Sequence, residues 1–380
     1  MASIYHNSTD KRLRVLFITR KFPPSVGGME RLSYQLIKHL CAYVDVYPIA
    51  WGYSQFFLPL FLLRALSQGL AQARSVDILY AGDPLVAPVV WIVGRLYHLP
   101  TLVTIHGLDI TFNCPGYQLM TRFFLRRFTR VICISRFVYM EALKRGLNPE
   151  HCYVIYPGVE IPEELPSRAE SRFFIENILN ISLKNRQVWL TVGRLIPRKG
   201  VSWFCEQVLP NLPNAASFVY LIAGEGPEVR KIRVLLEKFK LHDRVYLLGR
   251  VDDAELSKLY VGSDAFIMPN IYRPHDPEGF GLVAIEAASH GLPVIAARLQ
   301  GIQDAVIEGK NGYLLPPNNS QAWIEFLLKC LSEPQILEKL RASARIITAE
   351  HFSWNKIIKK YLDIFYEISQ KHILKKAYYA

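Results

Sequence analysis

The chain has 380 residues but lacks the features that mark membrane-spanning, disulfide-bonded and zinc-binding proteins. No apolar run approaches the roughly 18–20 residues that a membrane-spanning helix requires, and the longest lie at 56–63 and 85–93. The six cysteines are scattered singly, without a C-x-x-C pair, which argues against a zinc site or disulfide framework and for a reducing compartment. Residues 1–12 are polar and charged, so no secretory signal is visible. Together these absences predict a cytoplasmic protein.

Acidic residues are scarce in the first part of the chain. Residues 1–160 hold 17 Lys and Arg against 9 Asp and Glu, a net charge of +8, whereas residues 161–380 contribute only +4 to the total of +12. A basic first half suits a nucleic acid, an anionic lipid surface or a phosphorylated substrate. The length suits two domains better than one.

Short apolar runs alternate with helix-length segments along the whole chain. Such alternation indicates parallel sheets covered on both faces, and two sets indicate two doubly wound, Rossmann-like α/β domains. The predicted strands are 15–19, 44–49, 78–80, 101–105, 131–134 and 153–155 in the first set, and 188–192, 218–223, 245–248, 265–268, 293–296 and 312–315 in the second.

A Pro- and Glu-rich stretch at 157–166 indicates the linker between the domains. We therefore expect an N-terminal Rossmann-like domain over 1–162 and a C-terminal Rossmann-like domain over 163–350. Residues 354–365 have helical periodicity and follow the second set of strands. We expect the segment 351–380 to pack back on the N-terminal domain as a helix.

The most informative pattern is the run from Glu278 to Glu286, in which a glycine-bracketed turn leads into apolar, helix-forming residues. The first N–H groups of a helix have no internal partner and form an anion site, most often for phosphate. The two carboxylates are eight positions apart, which corresponds to at most about 12 Å along a helix. They therefore cannot both bind one metal ion or one small chemical group. They can hold the two ends of a long ligand that carries hydroxyls at both ends and phosphate between, as a nucleotide-sugar does.

Three further loops follow predicted strands, where ligands of such sheets bind. They are a Pro-bent loop with Gly27-Gly28 after the first strand, His106-Gly107-Leu108-Asp109 after the fourth, and Gly193 to Gly200 with Arg194 and Lys199 after the first strand of the second set. Each alone has an ordinary structural explanation. Together they place an anion-binding loop, two cations and a titratable histidine where a diphosphate could bind between two domains.

With these motifs the sequence resembles the retaining glycosyltransferases of family four, of the type that builds bacterial cell-surface or lipid-linked glycans. The resemblance implies the GT-B fold, in which two Rossmann-like domains face each other across a cleft. It runs from about residue 14 to about residue 361 and rests on motifs in a consistent order: Pro23-Pro24 to Arg31, His106 to Asp109, Ile134 to Arg136, Pro157 to Glu160, Gly193 to Gly200, Gly224 to Pro227, Glu278 to Ala287, Gly291 to Ala296 and Asn311-Gly312.

The resemblance implies a role for each matching residue. His106, Asp109, Arg194, Lys199 and Glu278 would be catalytic: the cations neutralise the leaving diphosphate, His106 and Glu278 face the transferred sugar, and Asp109 holds the histidine or the acceptor. The other donor contacts would come from Gly27, Gly28, Arg250, Val251, Gly279, Phe280, Gly281, Leu282 and Glu286, the last holding the ribose hydroxyls.

We expect a metal-independent reaction without a cofactor, because fixed cations and N–H dipoles can stabilise the departing diphosphate and no D-x-D motif or metal-spaced histidine cluster is present. The sequence departs from the family at two positions: Gln300 stands where a second glycine is frequent before Gly301, and Asp304 where glutamate is frequent. These departures, with the long proline-punctuated loop at 270–277, leave the identity of the sugar open.

The acceptor side is indicated by a basic amphipathic segment, which we predict as a helix over 116–130. Met120, Phe124 and Phe128 form one stripe, and arginines form another about 200° away. The segment is either a core helix with a solvated basic face or a helix that lies on an anionic membrane surface. The candidate membrane or acceptor contacts are Arg122, Arg126, Arg127 and Arg130. An aromatic, acid-free stretch at 51–63 is a second candidate contact.

The expected function is transfer of a sugar from a nucleoside-diphosphate sugar to a glycan or lipid-linked acceptor, by an enzyme that is cytoplasmic or peripheral on the inner membrane face. One alternative is a sugar-nucleotide-binding protein without transfer activity, which the presence of both His106 and Glu278 disfavours. A nucleic-acid binder is the other alternative, and the sequence lacks a recognised DNA or RNA motif for it.

Overall fold

The computed structural model describes residues 12–212 and 218–379. The segment 1–11, on which the expectation of a missing secretory signal rests, lies outside the described residues. The chain divides into two units, one formed by residues 1–158 and 354–380 and the other by residues 159–353. Each unit is built on its own parallel sheet.

The first unit contains a six-stranded parallel sheet with the strand order β2-β1-β3-β4-β5-β6. Its strands are short and rich in β-branched residues, and the central ones are buried along their length, as expected for a sheet covered on both faces. They are β1 (Arg14–Thr19), β2 (Asp45–Ala50), β3 (Ile78–Ala81), β4 (Thr101–Ile105), β5 (Arg130–Cys133) and β6 (Cys152–Val154).

Helices of the first unit follow these strands. They are α1 (Gly28–Leu40), α2 (Leu58–Gln72), α3 (Ala87–Tyr97), α4 (Leu108–Thr111), α5 (Pro115–Leu125) and α6 (Arg136–Lys144). Gly69 of α2 packs close to Ile18 of the sheet and Val93 of α3, and Trp91 of α3 meets Phe124 of α5 with ring centroids 5.4 Å apart. The helices α2, α3 and α5 therefore lie side by side on one face of the sheet.

The second unit has the same construction, with the strand order β12-β11-β10-β7-β8-β9. Its strands are β7 (Gln187–Val192), β8 (Phe218–Ala223), β9 (Val245–Gly249), β10 (Ala265–Met268), β11 (Val294–Ala297) and β12 (Gly312–Leu315). Its helices are α7 (Arg168–Leu179), α8 (Val201–Gln207), α9 (Val229–Lys238), α10 (Asp253–Gly262), α11 (Leu282–Ser289), α12 (Ile302–Ala305), α13 (Ser320–Ser332) and α14 (Gln335–Phe352).

The chain ends in the long helix α15 (Trp354–Tyr379), which belongs to the first unit. Its apolar residues, among them Ile357, Tyr361 and Phe365, join the core that α1 forms with the sheet face carrying Phe17 and Tyr80. Consecutive residues of a strand point to opposite faces. The α15 helix therefore covers the sheet face opposite to the one that carries α2, α3 and α5.

Each of the twelve predicted strands is confirmed, with both ends within one residue of the prediction. The prediction of a helix over 116–130 is wrong in its extent, because α5 ends at Leu125. The backbone then turns through Phe128, and Thr129 exchanges hydrogen bonds with Thr101 at the start of β4, so Arg130 already belongs to strand β5. Among the described residues, no helix is both long and apolar enough to cross a bilayer.

Candidate functional site

Glu278 lies at the centre of a charged cluster in the second unit, at the carboxyl edge of its sheet. Its Oε2 accepts hydrogen bonds from Lys199 Nζ at 2.7 Å and from Asn270 Nδ2 at 3.0 Å, and Arg198 Nε lies 3.5 Å away. Arg198 also pairs with Asp276 at 2.9 Å. The loop after β7 supplies both cations and the segment after β10 supplies the carboxylates and the amide, so adjacent strands of the sheet bring them together.

The charge of Glu278 is stabilised despite its burial. Burial alone would raise the pKa of this carboxyl, but the charges of Lys199 and Arg198, with the hydrogen bonds from Lys199 and Asn270, outweigh burial and hold the pKa below its usual value. The carboxylate is therefore ionised at neutral pH and fixed in one orientation, with Lys199 held beside it.

The glycine turn before α11 is held by close backbone contacts. A Cβ on Gly301 would lie 2.0 Å from the carbonyl oxygen of Gly279, so this position requires glycine. The preceding residue, Gln300, has a φ of +47°, and its side-chain oxygen accepts a hydrogen bond from the backbone N–H of Glu278 at 2.8 Å. Gln300, which stands where the family often has glycine, thus supplies a side chain that holds the backbone of Glu278 in place.

The N-terminus of α11 presents N–H groups next to this cluster. Gly281 precedes the helix with a φ of +97°, a conformation that favours glycine. Within the described part of the chain, the N–H groups of Gly279 and Gly281 donate no hydrogen bond. The Phe280 side chain packs into the core against Phe352, so this residue can offer only its backbone to a ligand. Glu286 lies half-buried on the second turn of α11.

The loop after β7 is built on glycine contacts with the loop after β8. A Cβ on Gly224 would lie 1.9 Å from the carbonyl oxygen of Gly193, and one on Gly226 would lie 2.3 Å from that of Leu195. The loop leaves the Arg194 side chain exposed, and no carboxylate among the described residues pairs with it. Arg250 and Val251, which follow β9, border the same loops because the Gly224 N–H bonds to the Gly249 carbonyl at 2.7 Å.

A pocket opens at the carboxyl ends of β7 and β10, and Arg194, Lys199, Asn270 and Val283 of α11 line it. Asn270 is buried, and its Oδ1 has no hydrogen-bond partner among the described residues. A buried, unpaired amide oxygen is costly, so this atom marks a place where a bound hydroxyl or water can donate. The sequence analysis did not select Arg198 or Asn270, although both belong to the loops that it singled out.

In the first unit His106 follows β4, and its ring is buried. Its Nε2 lies 2.8 Å from the Gly82 carbonyl oxygen, which can only accept, so Nε2 carries the proton. When Nε2 is the only protonated ring nitrogen, Nδ1 is an acceptor, and Nδ1 is buried without a partner among the described residues. The Gly82 hydrogen bond therefore selects one tautomer of the uncharged ring, in which Nδ1 is a buried acceptor.

Asp109 holds the backbone of His106 and not its ring. Its carboxylate accepts from the His106 N–H at 2.9 Å and from the Gly107 N–H at 2.9 Å. Burial raises the pKa of Asp109, while the His106 side chain and these backbone hydrogen bonds oppose the rise. Asp109 thus fixes the turn at Gly107, whose φ of +113° favours glycine.

Two ion pairs that the sequence analysis missed lie at the same edge of the first sheet. Arg20, directly after β1, pairs with the fully buried Asp83 after β3 at 3.1 Å. Lys21 pairs with the buried Glu30 in the first turn of α1 at 2.9 Å. The partners of these pairs are 63 and 9 residues apart in the sequence. No local sequence pattern therefore indicates either pair. They lie at the same sheet edge as His106 and Asp109 because β1, β3 and β4 are consecutive strands of the first sheet.

Gly27 and Gly28 lie where α1 begins. Gly27 has extended backbone and makes no side-chain cap, and a Cβ added to it would lie 2.3 Å from Glu30 Oε2. A carboxylate therefore already occupies the space beside this helix N-terminus. The expectation that the two glycines close over phosphate stays a prediction.

The four arginines proposed for an acceptor or membrane surface do not form one stripe. Arg122 is exposed on α5, but Arg126 donates to the Arg145 carbonyl at 2.9 Å and Arg127 stacks over the Phe123 ring at 3.6 Å. The assignment of Arg130 to this surface is wrong, because its guanidinium pairs with Glu367 of α15 at 2.7 Å, on the other face of the sheet. In the described ranges, no group of three or more His, Cys, Asp or Glu side chains could hold a metal ion.

Comparison with protein families identifies both units. Residues 26–162 match the family model described as Glycosyltransferase Family 4, and residues 174–347 match the one described as Glycosyl transferases group 1. A D-inositol 3-phosphate glycosyltransferase of Xylanimonas cellulosilytica is 28% identical over 231 residues, which are 60% of this chain and 54% of that protein. The putative colanic acid biosynthesis glycosyltransferase WcaL of Salmonella typhimurium is 29% identical over 260 residues, 66% of this chain and 60% of WcaL. The match thus spans little more than half the length of these relatives.

The fold also matches that of a solved protein. The crystal structure of Anabaena HepE in complex with UDP and glucose aligns with a TM-score of 0.76 at 20% sequence identity, covering 94% of this chain and all of HepE. At this identity the likeness is one of fold, and the fold is the GT-B arrangement of two Rossmann-like domains.

Proposed function

The chain belongs to the GT-B glycosyltransferases with family 4 and group 1 domains, and from that membership we propose that it transfers a hexose from a nucleoside-diphosphate sugar to a glycan or lipid-linked acceptor. The observation that carries this proposal is the pocket of the second unit, where Arg194 and Lys199 lie beside the first turn of α11. The pocket is lined by these two cations and by Val283 of α11, and the unpartnered N–H groups of Gly279 and Gly281 lie just before that helix. A diphosphate needs positive charge and N–H donors together.

Stabilisation of the leaving group follows from this arrangement. Negative charge grows on the diphosphate as the bond to the sugar breaks, so fixed positive charge lowers the barrier only if it is already in place. Lys199 is held by Glu278 at 2.7 Å, and the exposed Arg194 can turn towards an incoming phosphate. Glu278 and the unpaired Asn270 oxygen are then the groups that receive hydroxyls of the transferred sugar.

The family resemblance implies further roles. Glu286 on α11 would hold the ribose hydroxyls. In the first unit His106 would accept a hydrogen bond from the transferred sugar at Nδ1, the ring atom that is buried without a partner. Asp109 acts through His106, because its carboxylate holds the histidine backbone.

We further propose that the anomeric configuration is retained and that the reaction needs no metal ion, since Arg194 and Lys199 supply the charge that a metal supplies in other transferases. The complex of HepE with UDP and glucose makes UDP-glucose the first donor to test. The resemblance to WcaL, named for colanic acid biosynthesis, supports a glycan intermediate as the acceptor.

The test is release of nucleoside diphosphate from a panel of UDP- and GDP-sugars by the full chain, with and without EDTA. We expect release with at least one donor, unchanged by EDTA, and a product with the donor's anomeric configuration by NMR. Loss of activity in EDTA that is restored by added metal would refute metal independence. Tight diphosphate binding without turnover on any donor or acceptor would favour a non-catalytic binding protein.

Lys199→Ala tests the leaving-group role within the same assay. We expect kcat/KM to fall by more than about tenfold. Lys184→Ala is the matched control, because Lys184 is an exposed lysine of the same unit away from the pocket. Wild-type turnover in Lys199→Ala would remove Lys199 from the mechanism.

A further inference from the structure

One face of the first unit combines exposed apolar side chains with arginines and has no acidic residue on its helices. The helices α2, α3 and α5, which lie side by side on this face, contain neither Asp nor Glu. Five large apolar side chains on these helices are exposed, namely Leu60, Leu63, Leu96, Leu119 and Phe123, and the exposed Phe56 and Phe57 directly precede α2. Solitary exposed apolar residues are ordinary, but a concentration of them marks an interaction surface.

The exposed apolar groups are densest at the N-terminal end of α2. Phe56, directly before α2, and Leu60 and Leu63 on α2 are 83%, 63% and 67% exposed, whereas Phe61 and Ala65 of the helix are buried. The outer side of α2 is thus apolar where a helix covering a soluble domain carries polar residues. Leu119 of α5 continues the surface and is 72% exposed.

The charges on this face have one sign. Arg64, Arg95 and Arg122 are exposed on α2, α3 and α5 in turn. The acidic residues nearby in sequence are neutralised or buried, because Asp77 pairs with Arg14 at 3.1 Å and Asp83 is fully buried. Exposed apolar groups bordered by arginines complement a surface of apolar chains beneath anionic head groups.

The position of this face in the fold connects it with the candidate site. In a parallel sheet each helix begins at the carboxyl edge, where the preceding strand ends. The apolar end of α2 follows β2, and His106 follows β4, so both lie at the carboxyl edge of the same sheet.

We propose that the α2–α3–α5 face docks on an anionic phospholipid surface, with the segment 56–63 inserted at the head-group boundary and Arg64, Arg95 and Arg122 against the lipid phosphates. The acceptor is then a membrane amphiphile whose sugar-accepting end reaches the carboxyl edge from the bilayer. This last step rests on the proposed function, whereas the docking surface does not.

The experiment is co-flotation of the full chain with vesicles of phosphatidylcholine alone or with 30% phosphatidylglycerol, a composition chosen to carry physiological anionic charge. We expect the wild type to float with the anionic vesicles only. The apolar variant F56S/L60S/L63S and the charge variant R64E/R95E/R122E should each bind at least about tenfold more weakly. The matched controls are F173S/I178S on α7 and R230E/K231E/R233E on α9, which alter exposed residues of the second unit and should bind like the wild type.

The outcomes separate the docking surface from the catalytic proposal. A wild type that stays with the soluble fraction, or controls that lose binding as the test variants do, would overturn the surface. If the face instead binds a soluble protein, the wild type will not float with either type of vesicle. Circular dichroism and affinity for UDP by calorimetry report folding and the donor site, so lost flotation with unchanged UDP affinity identifies a docking defect. Failure of sugar transfer with intact flotation would leave the surface standing.

Discussion

At the scale of single residues, the candidate site depends on how Glu278 is held. Three side chains contact its carboxylate and a fourth, Gln300, accepts from its backbone N–H. Lys199 belongs to a recognisable motif and was predicted as a site residue. The pairing of Lys199 with Glu278 was not, because 79 residues separate the two and only the adjacency of β7 and β10 brings them together.

Gln300 should affect catalysis through Glu278. Replacing it by Gly or Asn keeps a residue that tolerates a φ of +47° but removes the oxygen that reaches the Glu278 N–H. We expect kcat/KM to fall by about fivefold in both variants, as for the loss of one hydrogen bond worth about 1 kcal/mol, with little change in thermal stability. Steady-state kinetics decide the point: if both variants keep wild-type kcat/KM, only the backbone conformation of Gln300 matters.

The ionised state of Glu278 gives the protein a predictable acid sensitivity. The folded pKa lies below the ordinary value of 4.5, so as the pH falls the unfolded chain takes up this proton first. The ionised Glu278 therefore adds to the free energy of unfolding above about pH 4.5, and this addition is lost as the pH falls through the folded pKa. We expect Glu278→Gln to be less stable than the wild type at pH 7 and the difference to narrow towards about pH 4.

Urea unfolding of the two proteins at both pH values measures this difference. Asp109→Asn is a useful comparison because burial raises the pKa of Asp109, which gives its contribution the opposite dependence on pH. A stability gap between Glu278→Gln and wild type that is the same at both pH values would contradict the assigned shift.

At the scale of elements, the sequence predicted strands better than helices. Buried parallel strands are short, continuous apolar runs, and their boundaries are visible in the sequence. The helix predicted over 116–130 failed because its apolar stripe included Phe128, which is buried for another reason: it closes the turn into β5. Periodicity alone does not distinguish a fourth helical turn from a buried turn residue.

The final helix is held by the first unit, although nearly two hundred residues of the second unit precede it. Phe365 is fully buried in the core that α15 forms with the first sheet, 6.1 Å from the Tyr80 ring between centroids. The position of α15 is specified by contacts between residues that lie far apart in the sequence. The pairing of Arg130 with Glu367 is another such contact.

Phe365→Ala should therefore destabilise the protein strongly. Removal of a buried aromatic ring costs about 3–5 kcal/mol. The control is Lys359→Ala, an exposed position on the same helix, which should stay within about 0.5 kcal/mol of the wild type. Denaturant unfolding measures both, and a Phe365→Ala variant as stable as Lys359→Ala would show that α15 contributes little to the core of the first unit.

At the scale of the whole molecule, two sheets of the same construction carry different chemistry at their carboxyl edges. The second unit presents paired charges, unpartnered N–H groups and a pocket. The first presents a fixed histidine with one available acceptor atom and an apolar, arginine-bearing face. The strand pattern predicted both sheets and both edges. The buried ion pairs at these edges were not predictable, because partners such as Arg20 and Asp83 meet only after the strand order is known.

This division predicts that diphosphate affinity belongs to the second unit. Glu286→Ala should weaken binding of the free nucleoside diphosphate, because a ribose contact acts in the ground state and the transition state alike. His106→Ala should leave that affinity unchanged while impairing transfer, since its available Nδ1 is proposed to meet the sugar.

Isothermal titration calorimetry and turnover on the same preparations test the contrast. Melting curves at about 100 times the Kd, where ligand stabilises by about 2.7 kcal/mol, provide an independent check. If His106→Ala lost diphosphate affinity while it remained folded, His106 would belong to the phosphate site. If Glu286→Ala kept full affinity, the ribose would be held elsewhere, and Glu278 and Glu286 would not hold two ends of one ligand.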